Sequence, residues 1–81
     1  MIFNVQVKVT LKPTVMDAQG TTIERALTKL GHDGVSDVRI GKYITMRVDT
    51  SSVEEAKQAA TVMCEELLAN PIIEEFMVEV I

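Results

Sequence analysis

The stretch "VSDVRIGKYITMRVD" (Val35–Asp49) decides the fold, because two incompatible structures can be drawn through it. A β-hairpin with a two-residue loop at Gly41 would place the later apolar residues on the polar face, a register error that a buried face forbids. A three-residue loop from Gly41 to Tyr43 restores the pairing, but such loops usually place glycine last. One long strand bent at Gly41 keeps every apolar residue in phase except Lys42. We therefore predict one long bent strand.

Both ends of the chain are also predicted to be strands. The segment "IFNVQVKVTLK" (Ile2–Lys12) alternates apolar and polar residues, which is typical of a strand with one buried face and one face in contact with water or a partner. The segment "EEFMVEVI" (Glu74–Ile81) alternates in the same way. The rest of the chain lies between these two strands in sequence.

A first helix is predicted after the first strand. Thr21 and Glu24 fit a capping box at its start, although Asp17 could begin it earlier. Gly31 is well placed to end it, because glycine adopts the left-handed backbone conformation without penalty. The apolar residues of this helix recur at i, i+3, i+4 and i+7, as in an amphipathic helix: Ile23, Ala26, Leu27 and Leu30.

A second helix follows the long strand. Ser51 or Ser52 is its predicted N-cap, with Glu54 or Glu55 three residues later. It is expected to stop at Asn70, because a residue that precedes proline is disfavoured in the α region. Its predicted buried stripe consists of Val53, Ala56, Ala60, Met63, Cys64, Leu67 and Leu68.

The order of these elements predicts a single α+β domain over residues 1–81. We expect a two-layer sandwich with both helices on one face of an antiparallel sheet. The order is close to the ferredoxin-like arrangement, in which a hairpin joins two βαβ halves. When that hairpin is straightened into one bent strand, each end of the strand can belong to a different βαβ half. The economical completion is exchange between two chains, a swapped homodimer.

Composition excludes several classes of function. The 81 residues carry a net charge of −4 and no cluster of Lys and Arg, which disfavours nucleic acid and anionic membranes as partners. One cysteine and one histidine cannot assemble a zinc site. No apolar run approaches transmembrane length, and no signal peptide is recognisable. We expect a cytoplasmic protein.

The reactive side chains do not form a catalytic set. Cys64 lies on the apolar stripe of the second helix and is expected to be a small buried hydrophobe. His32 follows Gly31 without a partner pattern, and its expected role is a solvated one near a helix end. Glutamates that are adjacent in sequence would point about 100° apart on a helix, so they are not placed to act as a pair of acid and base. Lys42 differs from these residues, because it lies in phase with apolar residues and must extend to solvent or find an anion.

Three blocks of the chain resemble the PurS family, the small subunit of phosphoribosylformylglycinamidine synthase. They are "LKPTVMDAQG" (Leu11–Gly20), "VRIGKYI" (Val38–Ile44) and "LLANPIIE" (Leu67–Glu74), and they occur in the order of the family. The resemblance covers nearly the whole chain. One departure is Ala18, where family members often carry proline.

The resemblance implies a non-catalytic subunit that binds no cofactor itself, within a complex that uses ATP, Mg²⁺ and glutamine. A large synthetase subunit would bind ATP and formylglycinamide ribonucleotide, and a glutaminase subunit would release ammonia. The small subunit, a dimer in this family, would bridge the two and assist the passage of ammonia. The candidate contacts with these partners are Lys12, Asp17, Gln19, Arg39, Lys42 and Asn70.

An alternative is a regulatory domain of the ACT kind, which shares the order of strands and helices. Such a domain would bind a small molecule at a dimer interface. It explains the size and the acidity of the chain, but not the three sequence blocks.

Overall fold

The computed structural model describes residues 1–81, which form three strands and two helices. The second helix passes at its end into one turn of π-helix. Neither helix combines the length with the hydrophobicity that a membrane span needs. The elements are β1 (Ile2–Leu11), α1 (Ala18–Lys29), β2 (Gly41–Asp49), α2 (Val53–Met63), the π-helical turn (Cys64–Leu68) and β3 (Glu74–Val80).

The three strands form one antiparallel sheet with β1 at its centre, in the order β2-β1-β3. In the middle of the sheet, Val7 pairs with Ile44 on one side and with Val78 on the other. The three antiparallel strands and two helices confirm the predicted α+β fold. No hairpin forms at Gly41, because β2 begins at this residue and residues 35–40 are not in the sheet.

The core lies between one sheet face and α2. The inward valines of β1 are fully buried, and α2 crosses them with small side chains. Small residues allow the helix to approach the sheet closely, so that little space is left between the layers. The residues buried at this interface are Val5, Val7, Val9, Val48, Ala56, Ala60, Cys64 and Ala69.

The first helix does not pack on the sheet in this way. Its apolar stripe is largely uncovered: Ile23 is 40% exposed and Leu30 is 75% exposed. The helix contacts the segment that precedes β2 instead, and the protomer is consequently elongated, with extents of 51 × 25 × 14 Å. Its radius of gyration is 16.1 Å, whereas about 12 Å is typical of a compact chain of this length. Within one chain, only α2 therefore covers the sheet face.

The long strand predicted to bend at Gly41 is formed only in part, as β2. The strand begins at this residue and runs for nine residues, so it is shorter than predicted, and residues 35–40 are not in the sheet. A Cβ atom on Gly41 would lie 2.7 Å from the Val9 carbonyl oxygen, which is closer than such atoms approach. Glycine is required because the backbone of β1, which pairs with Gly41 at Thr10, approaches closely here.

The end of α2 differs from the predicted regular helix. The amide of Ala69 donates to the Cys64 carbonyl at 3.0 Å, an i to i−5 bond typical of a π-helical turn. The wider turn changes which residues share a face. Leu67, predicted to be buried, is 83% exposed, whereas Leu68 packs against the core.

Candidate functional site

Three of the six candidate residues, Asp17, Gln19 and Lys42, lie together at the end of the sheet where β1 ends and β2 begins. An open cleft of ≈ 270 Å³ lies between them. Its floor is apolar and its walls carry two carboxylates, an amide and an ammonium group. The lining residues are Val9, Leu11, Asp17, Gln19, Ile40, Gly41, Lys42 and Glu74.

Asp17 begins α1 and also holds the chain that enters β2. One carboxylate oxygen accepts the amide of Gly20 at 2.8 Å, and the other accepts the amide of Ile40 at 2.7 Å. The amide of Gly20 lowers the pKa of Asp17 most, followed by the amide of Ile40 and the positive charge of Arg39. The residue is only 5% exposed. Both carboxylate oxygens of Asp17 therefore bind the backbone of its own chain, and its contact with a partner stays a prediction.

Gly20 allows α1 to approach the segment before β2. A Cβ atom at this position would lie 2.0 Å from the carbonyl oxygen of Val38. On the same segment, the amide of Val38 donates to Glu24 of α1 at 3.2 Å. Helix and segment are thus joined by two side-chain acceptors, the carboxylates of Asp17 and Glu24.

Arg39 and Lys12 belong to a second connection, which holds the loop after β1. The Nη2 atom of Arg39 donates to the carbonyl of Lys12 at 3.1 Å and to that of Val15 at 2.9 Å. The amide of Lys12 donates in turn to the carbonyl of Ile73 at 2.9 Å. Both residues therefore organise the loop, while the Arg39 side chain remains largely exposed.

Lys42 makes the contact predicted for a lysine in phase with core residues. Its Nζ atom donates to the carbonyl of Leu68 at 3.0 Å and lies 3.8 Å from the Glu74 carboxylate. A cation at the carboxyl end of a helix is favoured by the helix dipole. The ammonium group thus connects the start of β2 with the end of the π-helical turn and the start of β3.

Asn70 and Gln19 complete the predicted set. The side-chain oxygen of Asn70 accepts the amide of Ile72 at 3.1 Å, while its own amide donates to Glu74 at 2.7 Å. Gln19 is exposed on the cleft wall. Glu74 was not predicted as a site residue, because it is adjacent in sequence to Glu75 and such glutamate pairs are normally exposed to solvent.

The arrangement brings together hydrogen-bonding groups rather than a reactive centre. Cys64 is fully buried under the sheet, where desolvation first and the nearby Glu65 second raise the pKa of its thiol. No group of three or more His, Cys, Asp and Glu side chains is placed to hold a metal ion. The cleft can bind a small polar group or a segment of another protein.

Comparison with known proteins identifies the family. A family model described as "PurS: Phosphoribosylformylglycinamidine (FGAM) synthase" matches residues 4–81. The chain belongs to the PurS family. It is 42% identical over 78 residues to the PurS subunit of Synechocystis sp., covering 96% of this chain and 78% of that one. It is 39% identical over 79 residues to the PurS subunit of Bacillus subtilis, covering 98% and 93% of the two chains.

Solved structures of the PurS family share the fold. Methanocaldococcus jannaschii PurS matches with a TM-score of 0.88 at 34% identity, covering 98% of this chain and 95% of that chain. A chain in the structure of PurLQS from Thermotoga maritima matches with a TM-score of 0.92 at 34% identity, covering 100% and 99%. The family match confirms the resemblance of the three blocks and decides against the ACT-like alternative.

Replacing Gly20 by alanine should destabilise the protein strongly. The new methyl group would collide with the Val38 carbonyl, so that α1 must move away from the segment before β2. We expect the melting temperature to fall by about 10 °C in a thermal scan. Gly34→Ala is the matched control, because a Cβ atom there meets nothing within 4 Å. Equal melting temperatures for the two variants would contradict the close approach of helix and segment.

The lowered pKa of Asp17 predicts a specific loss of stability in acid. The folded state favours the ionised form of Asp17 more than the unfolded chain does. The contribution of Asp17 to folding stability is therefore complete above the ordinary pKa of 3.8, and it is lost as the pH falls through the lower pKa of the folded state. Melting scans from pH 5 to pH 2 should show a smaller loss for Asp17→Asn than for the wild type. Asp33→Asn, in the exposed loop after α1, should keep the wild-type slope. Equal slopes for wild type and Asp17→Asn would show that Asp17 is not linked to folding.

Proposed function

We propose that this chain is the small, non-catalytic subunit of phosphoribosylformylglycinamidine synthase in purine biosynthesis. The observation that carries the proposal is the match of residues 4–81 to the PurS family model. Curated relatives that bear the name of this subunit are 34–42% identical to the chain over nearly its whole length. The cleft agrees with a role in assembly, since its polar groups bind backbone and offer no nucleophile.

The proposed role is to bridge the large synthetase subunit and the glutaminase subunit, and to assist the transfer of ammonia between them. The support comes from the chain in PurLQS from Thermotoga maritima, which matches this chain over its full length. The exposed polar residues of the cleft, Gln19 and Lys42, remain the candidates for such contacts. Arg39 and Asn70 are also exposed and lie beside it.

The chemistry of the complex belongs to the other subunits in this proposal. ATP, Mg²⁺ and glutamine would be bound there, and this chain would bind no cofactor. The charge of −4 agrees with a role that involves neither nucleic acid nor an anionic membrane. One unpaired cysteine is typical of a reducing compartment, and we place the complex in the cytoplasm.

We further propose that the functional unit is a homodimer in which α1 of each chain packs on its partner. The uncovered apolar stripe of α1 supports this, because such a stripe normally faces a core. An apolar groove of ≈ 550 Å³ beside it is lined by Ala18, Gln19, Thr22, Ile23 and Ile40. A second chain would cover this groove and reduce the exposed apolar surface of α1.

The homodimer predicts that the wild-type chain sediments at twice its own mass or more at micromolar concentration. Leu27→Glu, on the apolar stripe of α1, should shift the equilibrium toward the monomer by at least tenfold, because a charge would have to be buried at the contact. Arg25→Glu, on the exposed side of the same helix, is the matched control. A wild-type chain that remains monomeric at micromolar concentration would contradict the dimer.

The subunit proposal predicts that the chain co-purifies with the synthetase and glutaminase subunits when glutamine and ADP-Mg²⁺ are present. The mixture should convert formylglycinamide ribonucleotide with glutamine as nitrogen donor, and omission of this chain should abolish that activity. The purified chain alone should hydrolyse neither ATP nor glutamine. Turnover by the chain alone, or a fully active mixture without it, would contradict the proposal.

A further inference from the structure

The loop between α1 and β2 contains an aspartate followed directly by a glycine. Asp33 and Gly34 lie in a turn shortly after the end of α1, and both residues are exposed. Among the aspartates of the chain, only Asp33 precedes a glycine. Neither residue contributes to the core or to the cleft. This pair therefore has no role in the fold or in the site described above.

The backbone amide of Gly34 is free to react. It donates no hydrogen bond within the chain, and a Cβ atom built on Gly34 would meet nothing within 4 Å. The aspartates whose carboxylates accept hydrogen bonds are Asp17 and Asp49, not Asp33. An exposed loop without such restraints changes its backbone conformation easily. The carboxyl carbon of Asp33 and the next amide nitrogen can therefore approach each other.

An aspartate beside a free amide can form a cyclic imide. The amide nitrogen of Gly34 bonds to the Cγ atom of Asp33, a Cγ–O bond breaks, and one water molecule leaves. Water then opens the ring at either of its two carbonyl carbons. Attack at Cγ restores aspartate, whereas attack at the main-chain carbonyl carbon leaves isoaspartate, in which the chain continues through Cγ. The net change is an isomerisation, and water is the only other reactant.

Asp37 is also exposed, but the structure protects it from this reaction. The residue that follows it, Val38, is β-branched, and its crowded side chain hinders closure of the ring. The amide of Val38 also donates to Glu24 at 3.2 Å, so the attacking nitrogen is held in a hydrogen bond. A free amide and the lack of a side chain at the next residue therefore distinguish Asp33, whereas exposure alone does not.

Asp17 and Asp49 are protected by their hydrogen bonds. The carboxylate of Asp17 is buried, and both of its oxygens accept backbone amides. The carboxylate of Asp49 accepts from the N-terminal ammonium group at 3.2 Å. The next amide, that of Thr50, donates to the carbonyl of Met1 at 3.0 Å. The reactive groups of these two aspartates are thus already engaged.

We propose that Asp33 and Gly34 form a modification site, at which isoaspartate arises spontaneously in the folded protein. The reaction adds one methylene group to the backbone of an exposed loop and frees the α-carboxylate of residue 33. That product is a substrate of the class taken by isoaspartyl carboxyl methyltransferases. Such an enzyme passes a methyl group from a sulfonium donor to the freed carboxylate, and the donor becomes a thioether. The site is independent of the proposed assembly.

The test incubates the purified full chain at neutral pH, well below its melting temperature, beside a synthetic peptide of residues 30–39. Trypsin releases the same peptide from the chain, because it cleaves after Lys29 and after Arg39. Isoaspartate leaves the mass unchanged, shifts the chromatographic retention, and blocks an endoproteinase that cleaves before aspartate. Cleavage should be lost at Asp33 and kept at Asp37. We expect the folded chain to isomerise at a rate within a few-fold of that of the free peptide.

Two variants and a second readout support the measurement. Gly34→Ala should slow isoaspartate formation several-fold at the wild-type melting temperature, because its methyl group hinders the ring but meets no neighbour in the fold. Asp33→Asn is the positive control, since the same ring forms with loss of ammonia and the same two products appear faster. The incubated wild type should accept labelled methyl groups from S-adenosylmethionine and an isoaspartyl methyltransferase, and incubated Gly34→Ala should accept far fewer.

Two results would overturn the modification site. A folded chain that isomerises at least an order of magnitude more slowly than the free peptide would show that the fold protects this loop. Isoaspartate that forms at Asp17, Asp37 or Asp49 as fast as at Asp33 would show that the free amide of Gly34 does not decide the position. Either result would leave the proposed subunit function unchanged.

Discussion

The carboxylate of Asp17 is the interaction on which the position of α1 relative to the segment before β2 depends. One oxygen binds the first turn of α1 and the other binds the backbone just before β2. Since α1 has few contacts with the sheet, this carboxylate and that of Glu24 replace the apolar packing that usually positions a helix. Backbone amides are strong partners for a buried carboxylate, because each is a fixed donor that needs no side-chain ordering.

The rest of the fold divides into a packed half and an open half. In the packed half, the small side chains of α2 lie against the valines of β1 and exclude water. In the open half, α1 and the segment before β2 contact mainly each other. A chain of this size buries a limited share of its surface, so that cover from other protein chains adds to its stability.

Local patterns predicted most of the elements, whereas contacts distant in sequence decided the site. The alternation of β1 and β3 and the cap of α2 at Ser52 depend on neighbouring residues, and all agree with the structure. The second partner of Asp17, the amide of Ile40, lies 23 residues away and has no local signal. The exposure of Leu67 could not be predicted either, because a π-helical turn breaks the periodicity on which the prediction of burial was based.

The elongated outline has a consequence for how much of the molecule is available to others. The chain exposes 5905 Å² of surface for a mass of 9.0 kDa, where a compact monomer of that mass exposes about 4,900 Å². The difference of about 1,000 Å² is close to the roughly 800 Å² that one protein contributes to a standard interface. A single protomer therefore has about one interface more surface than its mass requires, an area that one partner chain would be large enough to cover.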